Sequence, residues 1–199
     1  SASSGSPFHV TYTAGGEGSS NIQIGDLLTT ASISDDKWHH YAIHARKVAS
    51  GDILKFKFYV DGEYNSMVTQ TGIGEMPTSV KVGIAGTIGA NNTADSTGNF
   101  SGSIDDFKLW KGSRTEREVN RWFDKKIYAS NFEKKEYDSR LGLYYNFNKP
   151  RTGSPQKDSL VLDYSGNEIT GRIKNYDQSV ISSESGIDSA KTGNAEVPT

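Results

Sequence analysis

Lys55-Phe56-Lys57-Phe58-Tyr59-Val60 alternates charged and apolar side chains before it runs into Asp61-Gly62. A period of two is what a strand needs when one face lies on a core and the other in water, and Asp-Gly is a favoured two-residue hairpin turn. The stretch predicts a strand over Ile53 to Val60 that pairs across Asp61-Gly62 with Glu63 to Gln70. Working outward, Phe8 to Tyr12, Asn21 to Ile24, Lys37 to Arg46, Ser79 to Ile84 and Gly102 to Trp110 read as further strands. Turn clusters such as Ala14-Gly15-Gly16-Glu17-Gly18 and Ser50-Gly51-Asp52 separate them. Short strands with Gly-rich punctuation at this density predict an all-β chain, an antiparallel β-sandwich rather than an α/β fold.

Composition bounds what such a chain can do. Its 199 residues suffice for one large all-β domain with appendages. A net charge of -2 with both signs interspersed gives no electrostatic reason to expect nucleic acid or a membrane surface as partner. No apolar run approaches the about 20 residues that span a bilayer, so no membrane insertion is expected, and no charged-then-apolar leader opens the sequence. The lack of cysteine removes a disulfide framework and favours a bacterial, phage or other microbial surface protein over an animal extracellular module. Residues 1–6 read as a flexible linker, 7–177 as the domain, and 178–199 as an extended or disordered tail that a neighbour can order.

One short helix is expected after the last of the early strands. Ser113 followed by Glu116 forms a capping-box pattern, and Val119, Trp122, Phe123 and Ile127 recur at helical spacing, which predicts a helix over about 114–126. Leu141 to Asn148 then reads as a strand, Asp163-Tyr164-Ser165-Gly166-Asn167 as a turn, and Gly171-Arg172-Ile173 as a short strand.

Three strings occur in fixed order: Trp38-His39-His40-Tyr41, Phe58-Tyr59-Val60-Asp61-Gly62 and Gly102-Ser103-Ile104-Asp105-Asp106-Phe107-Lys108-Leu109-Trp110. Over roughly residues 20–125 the chain resembles the laminin G-like family of concanavalin A-like jelly rolls. The resemblance implies a jelly-roll sandwich, a short helical segment after the Ile-Asp-Asp strand, and a non-enzymatic extracellular module. In that family a strand like Leu143 to Phe147 and a loop like Asp163 to Asn167 open the sandwich, whereas here they follow the strand that normally closes it. Too little chain follows Tyr144 for a second jelly roll, so this block is expected to close the same sandwich from the C-terminal side. The strand that normally precedes the Trp-His-His region is hard to find, which points to a segment of a larger polypeptide.

The residues that can carry chemistry are few. His39 and His40 are neighbours on a predicted strand and point to opposite faces, while His44 shares the face of His40 but lies ~13 Å away, so a shared zinc or copper ion is not expected. The resemblance implies instead that Trp38 and one histidine pack the core edge while the other hydrogen-bonds near the surface. Asp105 and Asp106 make a better metal candidate, because carboxylates beside a Gly-rich segment can give oxygens to calcium, which takes about six to eight. Jelly-roll relatives carry structural calcium at this sort of position, and Asp163, Ser165 and Asn167 can supply further oxygens. The expected metal residues are thus Asp105, Asp106, Asp163 and Asn167. The alternative has Asp106 capping a turn and Asp163 making an Asx-turn.

No catalytic residue is expected. The Glu-x-Asp-x-x-Glu string of glucanases with this fold is missing, as are a Gly-x-Ser-x-Gly elbow and a phosphate-binding Gly loop. Recognition then falls to loops at the rim. Gly86 to Asn99 is long and rich in Gly, Asn, Thr and Ser, and its Asn91, Asn92, Asp95 and Asn99 can hydrogen-bond sugar hydroxyls. A sugar site also wants an exposed aromatic platform. Tyr64 and Trp110 are the candidates, unless both pack. The expected function is an extracellular binding or adhesion module for a glycan or surface protein, steadied by calcium. The alternative is a structural building block of a virion, tail fibre or cell-surface filament that contacts neighbouring domains or subunits.

Overall fold

In the computed structural model, the residues described are 6–14, 17–48, 52–72, 87–89, 100–126, 140–148 and 152–177. All pairings described between strands β1 and β2, β6 and β7, and β8 and β9 are antiparallel, so the chain is all-β with a few short helices. The alternating stretch forms β4, Ile53–Val60, at the centre of a three-stranded sheet between β3, Tyr41–Lys47, and β5, Glu63–Thr71. Asp61 and Gly62 turn the chain between β4 and β5 with φ of 50° and 83°, the left-handed pair that a tight hairpin demands. Ahead of this sheet, β1, Phe8–Ala14, pairs with β2, Glu17–Ile24, with a register shift between Val10 and Tyr12.

The chain divides into two compact units. One comprises Ser1–Asp35, Ile43–Tyr59 and Tyr64–Ile104, and the other Asp36–Ala42, Val60–Glu63 and Asp105–Thr199. In the first, Ile22, Ile24, Leu54, Phe56, Phe58 and Tyr59 are buried, and the Phe58 ring lies 5.0 Å from that of Phe8. The alternation of β4 shows directly in the burial of Leu54, Phe56 and Phe58. Segment Gly25–Asp26 is tied to β5 by polar contacts. Gly25 N–H donates to Ser66 Oγ at 3.0 Å, Asp26 N–H donates to Asn65 Oδ1 at 2.7 Å, and the Asn65 amide returns to the Asp26 carbonyl at 3.2 Å.

In the second unit, β6, Phe107–Trp110, pairs with β7, Leu141–Tyr145. The block after the helix therefore returns to the strand that carries the third signature string. Leu141 and Tyr144 are buried and Trp110 packs against them. Beyond β7 lie a one-turn helix, Pro155–Asp158, and the short pair β8, Leu160–Val161, and β9, Gly171–Arg172. Neither β8 nor that helix was expected, nor was the one-turn helix Thr30–Ile33, which Thr29 caps.

Several boundaries differ from expectation for physical reasons. The expected helix is shorter, Glu116–Trp122, and its cap is Thr115, not Ser113. Thr115 Oγ1 accepts from the Glu118 amide at 3.2 Å, and the Glu118 carboxylate accepts from the Thr115 amide at 2.7 Å, a capping box two residues later than the one expected. Trp38 to His40 precede β3, because the His40 amide is taken by a side chain instead of a strand partner. Gly102 to Asp106 do not join β6. Asp106 sits at φ of 51°, which takes the chain out of the extended conformation just before β6 begins at Phe107. The strand expected at Ser79 to Ile84, residue Ile127, the tail 178–199 and most of the linker 1–6 lie outside the described residues.

Candidate functional site

The signature strings converge locally at the Asp61 turn. His39 Nδ1 lies 2.8 Å from the Asp61 carboxylate, so this histidine makes the polar contact of the pair. His40 is the packed one: its ring lies 5.8 Å from that of Phe123, the residue that caps the C-terminus of helix Glu116–Trp122. Burial, then the Lys108 charge, lowers the His40 pKa from 6.5 to about 4 against the opposing pull of Asp61. A neutral imidazole on an aromatic ring is a structural element, and the division of labour between the two histidines is the expected one.

A second polar cluster surrounds Tyr144, a residue whose role sequence reasoning missed. Tyr144 is 1% exposed and held at both ends. Its hydroxyl donates to Asp106 Oδ1 at 2.5 Å, and its amide donates to Asp163 Oδ1 at 3.0 Å. Lys108 Nζ lies 4.0 Å from Asp106, 5.3 Å from the Tyr144 ring centroid, and donates to the Lys125 carbonyl at 3.1 Å. Burial raises the Asp106 carboxyl and lowers the Lys108 ammonium from their ordinary values. Both shifts weaken a full ion pair. The sequence singles out Asp106 and Asp163 but not Tyr144, which bonds to both.

Asp163 and Asn167, expected beside Asp106 as calcium ligands, are committed elsewhere. Asp163 accepts from the amides of Tyr144, Ser165 and Ile169 and from the Ser165 hydroxyl. Burial alone raises its carboxyl, but these bonds outweigh burial and hold it below the ordinary value. The Asn167 side-chain nitrogen donates to the carbonyls of Leu141 and Gly142 at 3.0 and 3.1 Å. Asp105 Oδ1 accepts from the Asp106 amide at 2.9 Å. Among the described residues no three His, Asp or Glu side chains come together as metal ligands. Donors already face the Asp163 carboxylate and the Asn167 side-chain nitrogen faces carbonyls, whereas Asp106 Oδ2 is buried without a hydrogen-bond partner.

The expected recognition residues divide sharply. Asn91, Asn92, Asp95 and Asn99 lie outside the described residues. Tyr64 is described, and it is 48% exposed on β5. Its ring meets the buried Tyr59 edge-on at 6.0 Å, and Lys57 Nζ lies 5.7 Å from its centroid. Trp110 instead packs, with the Arg114 guanidinium 3.9 Å from its ring centroid. Of the two candidate platforms, Tyr64 alone presents its ring to solvent.

A family model described as the concanavalin A-like lectin/glucanases superfamily, of laminin G type, matches residues 2–120. The chain belongs to this family. No curated protein and no solved structure matches it. As a laminin G-like chain it carries a domain type that is often a carbohydrate- or protein-binding module. The match takes in both strands around Asp61-Gly62 and the Tyr64 face, and it ends inside helix Glu116–Trp122. No helix among the described residues is long and apolar enough to cross a membrane.

Proposed function

We propose that the chain is a non-catalytic glycan-binding module of a secreted or surface-exposed protein, with Tyr64 as its aromatic platform. The observation that carries this reading is the half-exposed Tyr64 ring, fixed from one side by buried Tyr59 and contacted by Lys57. A rigid strand that presents an aromatic face gives a sugar ring an apolar surface at little entropic cost. The buried Asp106–Lys108–Tyr144 cluster supports a non-catalytic reading, because Tyr144 at its centre is sealed from solvent. The competing reading, a structural block of a virion, tail fibre or filament, draws on 178–199, which lies outside the described residues.

A panel of immobilised neutral and acidic glycans tests the proposal. The chain is expected to bind at least one, and Tyr64→Ala to weaken that binding about tenfold without loss of the folded state. A panel that retains nothing, or binding that Tyr64→Ala leaves unchanged, overturns it.

A further inference from the structure

Helix Glu116–Trp122 carries an acid-sensitive group at each end. None of its seven residues is buried, and an element with little buried surface opens before a packed core does. At its C-terminal end Phe123 packs so closely over Gly62 that a Cβ there would strike it, and its ring lies 5.8 Å from that of His40. The Asn120 side-chain nitrogen donates to the Glu63 carboxylate, and the Lys125 carbonyl accepts from Lys108. His40, Gly62, Glu63 and Lys108 all belong, with the helix, to the second compact unit. In the same unit β6 and β7 have a firmer hold, because Leu141 and Tyr144 are buried there and Trp110 packs on them.

The surroundings of His40 do not accommodate a protonated ring. Its Nδ1 is buried without a hydrogen-bond partner. Both Asp61 oxygens are engaged, Oδ1 by the His40 amide and Oδ2 by His39. The charged groups that act on the ring are Lys108 from β6 and Asp61 from the turn, and from the helix side it meets Phe123. An imidazolium donates from both nitrogens, so its Nδ1–H becomes a buried donor with no acceptor, in the field of the Lys108 ammonium. Burial first, then Lys108, hold the docked His40 pKa at about 4 instead of 6.5, with Asp61 pulling the other way. Asp106, whose carboxyl burial raises, loses its charge early as pH falls and then offsets Lys108 less. At the other end the Glu118 carboxylate caps the helix, and the bond from the Thr115 amide foremost holds it below its ordinary value. Both groups bind a proton more weakly in the docked state. Acid therefore favours release, through His40 from pH 6.5 downward and through Glu118 from the ordinary glutamate range downward.

We infer that helix Glu116–Trp122 and Phe123 form an acid-released latch, docked on the Asp61-Gly62 turn while His40 is neutral and released ahead of the β6–β7 pair once His40 takes a proton. Each pH unit between 6.5 and about 4 shifts the balance of docked and released forms by up to about tenfold. The latch is thus closed at neutral pH and opens in mildly acidic surroundings.

Fluorine NMR of the full chain labelled with fluorotryptophan tests it, because the three tryptophans, Trp38, Trp110 and Trp122, report on different elements. Single Trp→Phe variants assign the signals. As pH falls from 7.5 to 4, the Trp122 signal is expected to move reversibly to the position of a solvent-exposed indole before the Trp110 signal of β6 changes. His40→Asn should keep Trp122 in its docked position to clearly lower pH. Glu118→Gln, which retains a capping oxygen, should leave the His40 step in place. Trp122 and Trp110 signals that change together mean that the unit opens as a whole, and a Trp122 signal unmoved down to pH 4 means that the helix does not release. Either result overturns the inference. So does a folded His40→Asn chain that releases Trp122 at the same pH as the parent. If His40→Asn does not fold, the order of the Trp122 and Trp110 changes in the parent decides.

Discussion

His40 and Asp61 are joined in both directions: the His40 amide donates to the Asp61 carboxylate at 2.8 Å, and the Asp61 amide donates to the His40 carbonyl at 2.8 Å. The first two signature strings are therefore two halves of one clamp. Asp61 serves it three ways, because it also holds His39 and adopts the left-handed φ of the turn. Asp61→Ala is expected to cost about 2–3 kcal/mol in urea unfolding. Asp61→Asn, which keeps an acceptor oxygen and tolerates the same φ, is expected to cost about half that. Equal losses would remove the carboxylate from this account.

His40 gives the fold a dependence on acid. Its pKa is 6.5 when unfolded and about 4 when folded, with burial the main cause and the Lys108 charge the next. The folded state thus binds the proton less well. The stabilisation is fully present above pH 6.5 and is lost as pH falls toward 4. At about 1.4 kcal/mol per pH unit the gap corresponds to about 3 kcal/mol. Chemical denaturation between pH 7.5 and 4 should show His40→Asn with a shallower loss than the parent. An identical slope would mean that other groups govern it.

Gly62 is required twice over. Its φ is 83°, and a Cβ there would strike Phe123. Gly62→Ala is expected to lower stability by about 2 kcal/mol or more. Adding Phe123→Leu should return part of that by relieving the contact, though not the backbone strain. A double variant less stable than the sum of the two single changes would contradict the proposed clash.

Thr115, not Ser113, holds the start of helix Glu116–Trp122. Thr115→Ala should cost about 1 kcal/mol, and Ser113→Ala clearly less. Thermal unfolding of the two variants decides between the two caps.

Asp163→Ala removes the acceptor shared by Tyr144, Ser165 and Ile169, and is expected to cost about 2–3 kcal/mol, equally with calcium and with a chelator. Because the Asp163 carboxyl is held below its ordinary value, its contribution is present above the usual carboxylate pKa and fades as pH falls below it. A loss seen only with calcium present would restore the metal to this loop.

The fold class was legible because its signals are local. The two-residue period of Ile53–Val60, the Asp61-Gly62 turn and the order of the three strings need no knowledge of distant contacts. The site was legible only in part. That Tyr64 is exposed while Trp110 packs depends on Arg114 and on Leu141 and Tyr144 of β7, and no spacing within Phe107–Trp110 encodes those neighbours. The hydrogen-bond partners of the Asp163-Tyr164-Ser165-Gly166-Asn167 loop were not legible for a related reason. Oxygen-rich composition fits a cation and a self-satisfied turn equally well, and the choice is made by which amides of β7 point at the carboxylate.

The pairing of β6 with β7 has a practical meaning for anyone who wishes to excise the domain. The family match stops at residue 120, yet the partner of Phe107–Trp110 is Leu141–Tyr145, and the loop that fastens Tyr144 runs to Ile169. A fragment cut at the family boundary would leave the backbone of Phe107–Trp110 without its β7 partner, a raw sheet edge of the kind on which chains aggregate. The smallest piece with that edge covered and Tyr144 fastened at both ends therefore extends some fifty residues past the point where family similarity fades.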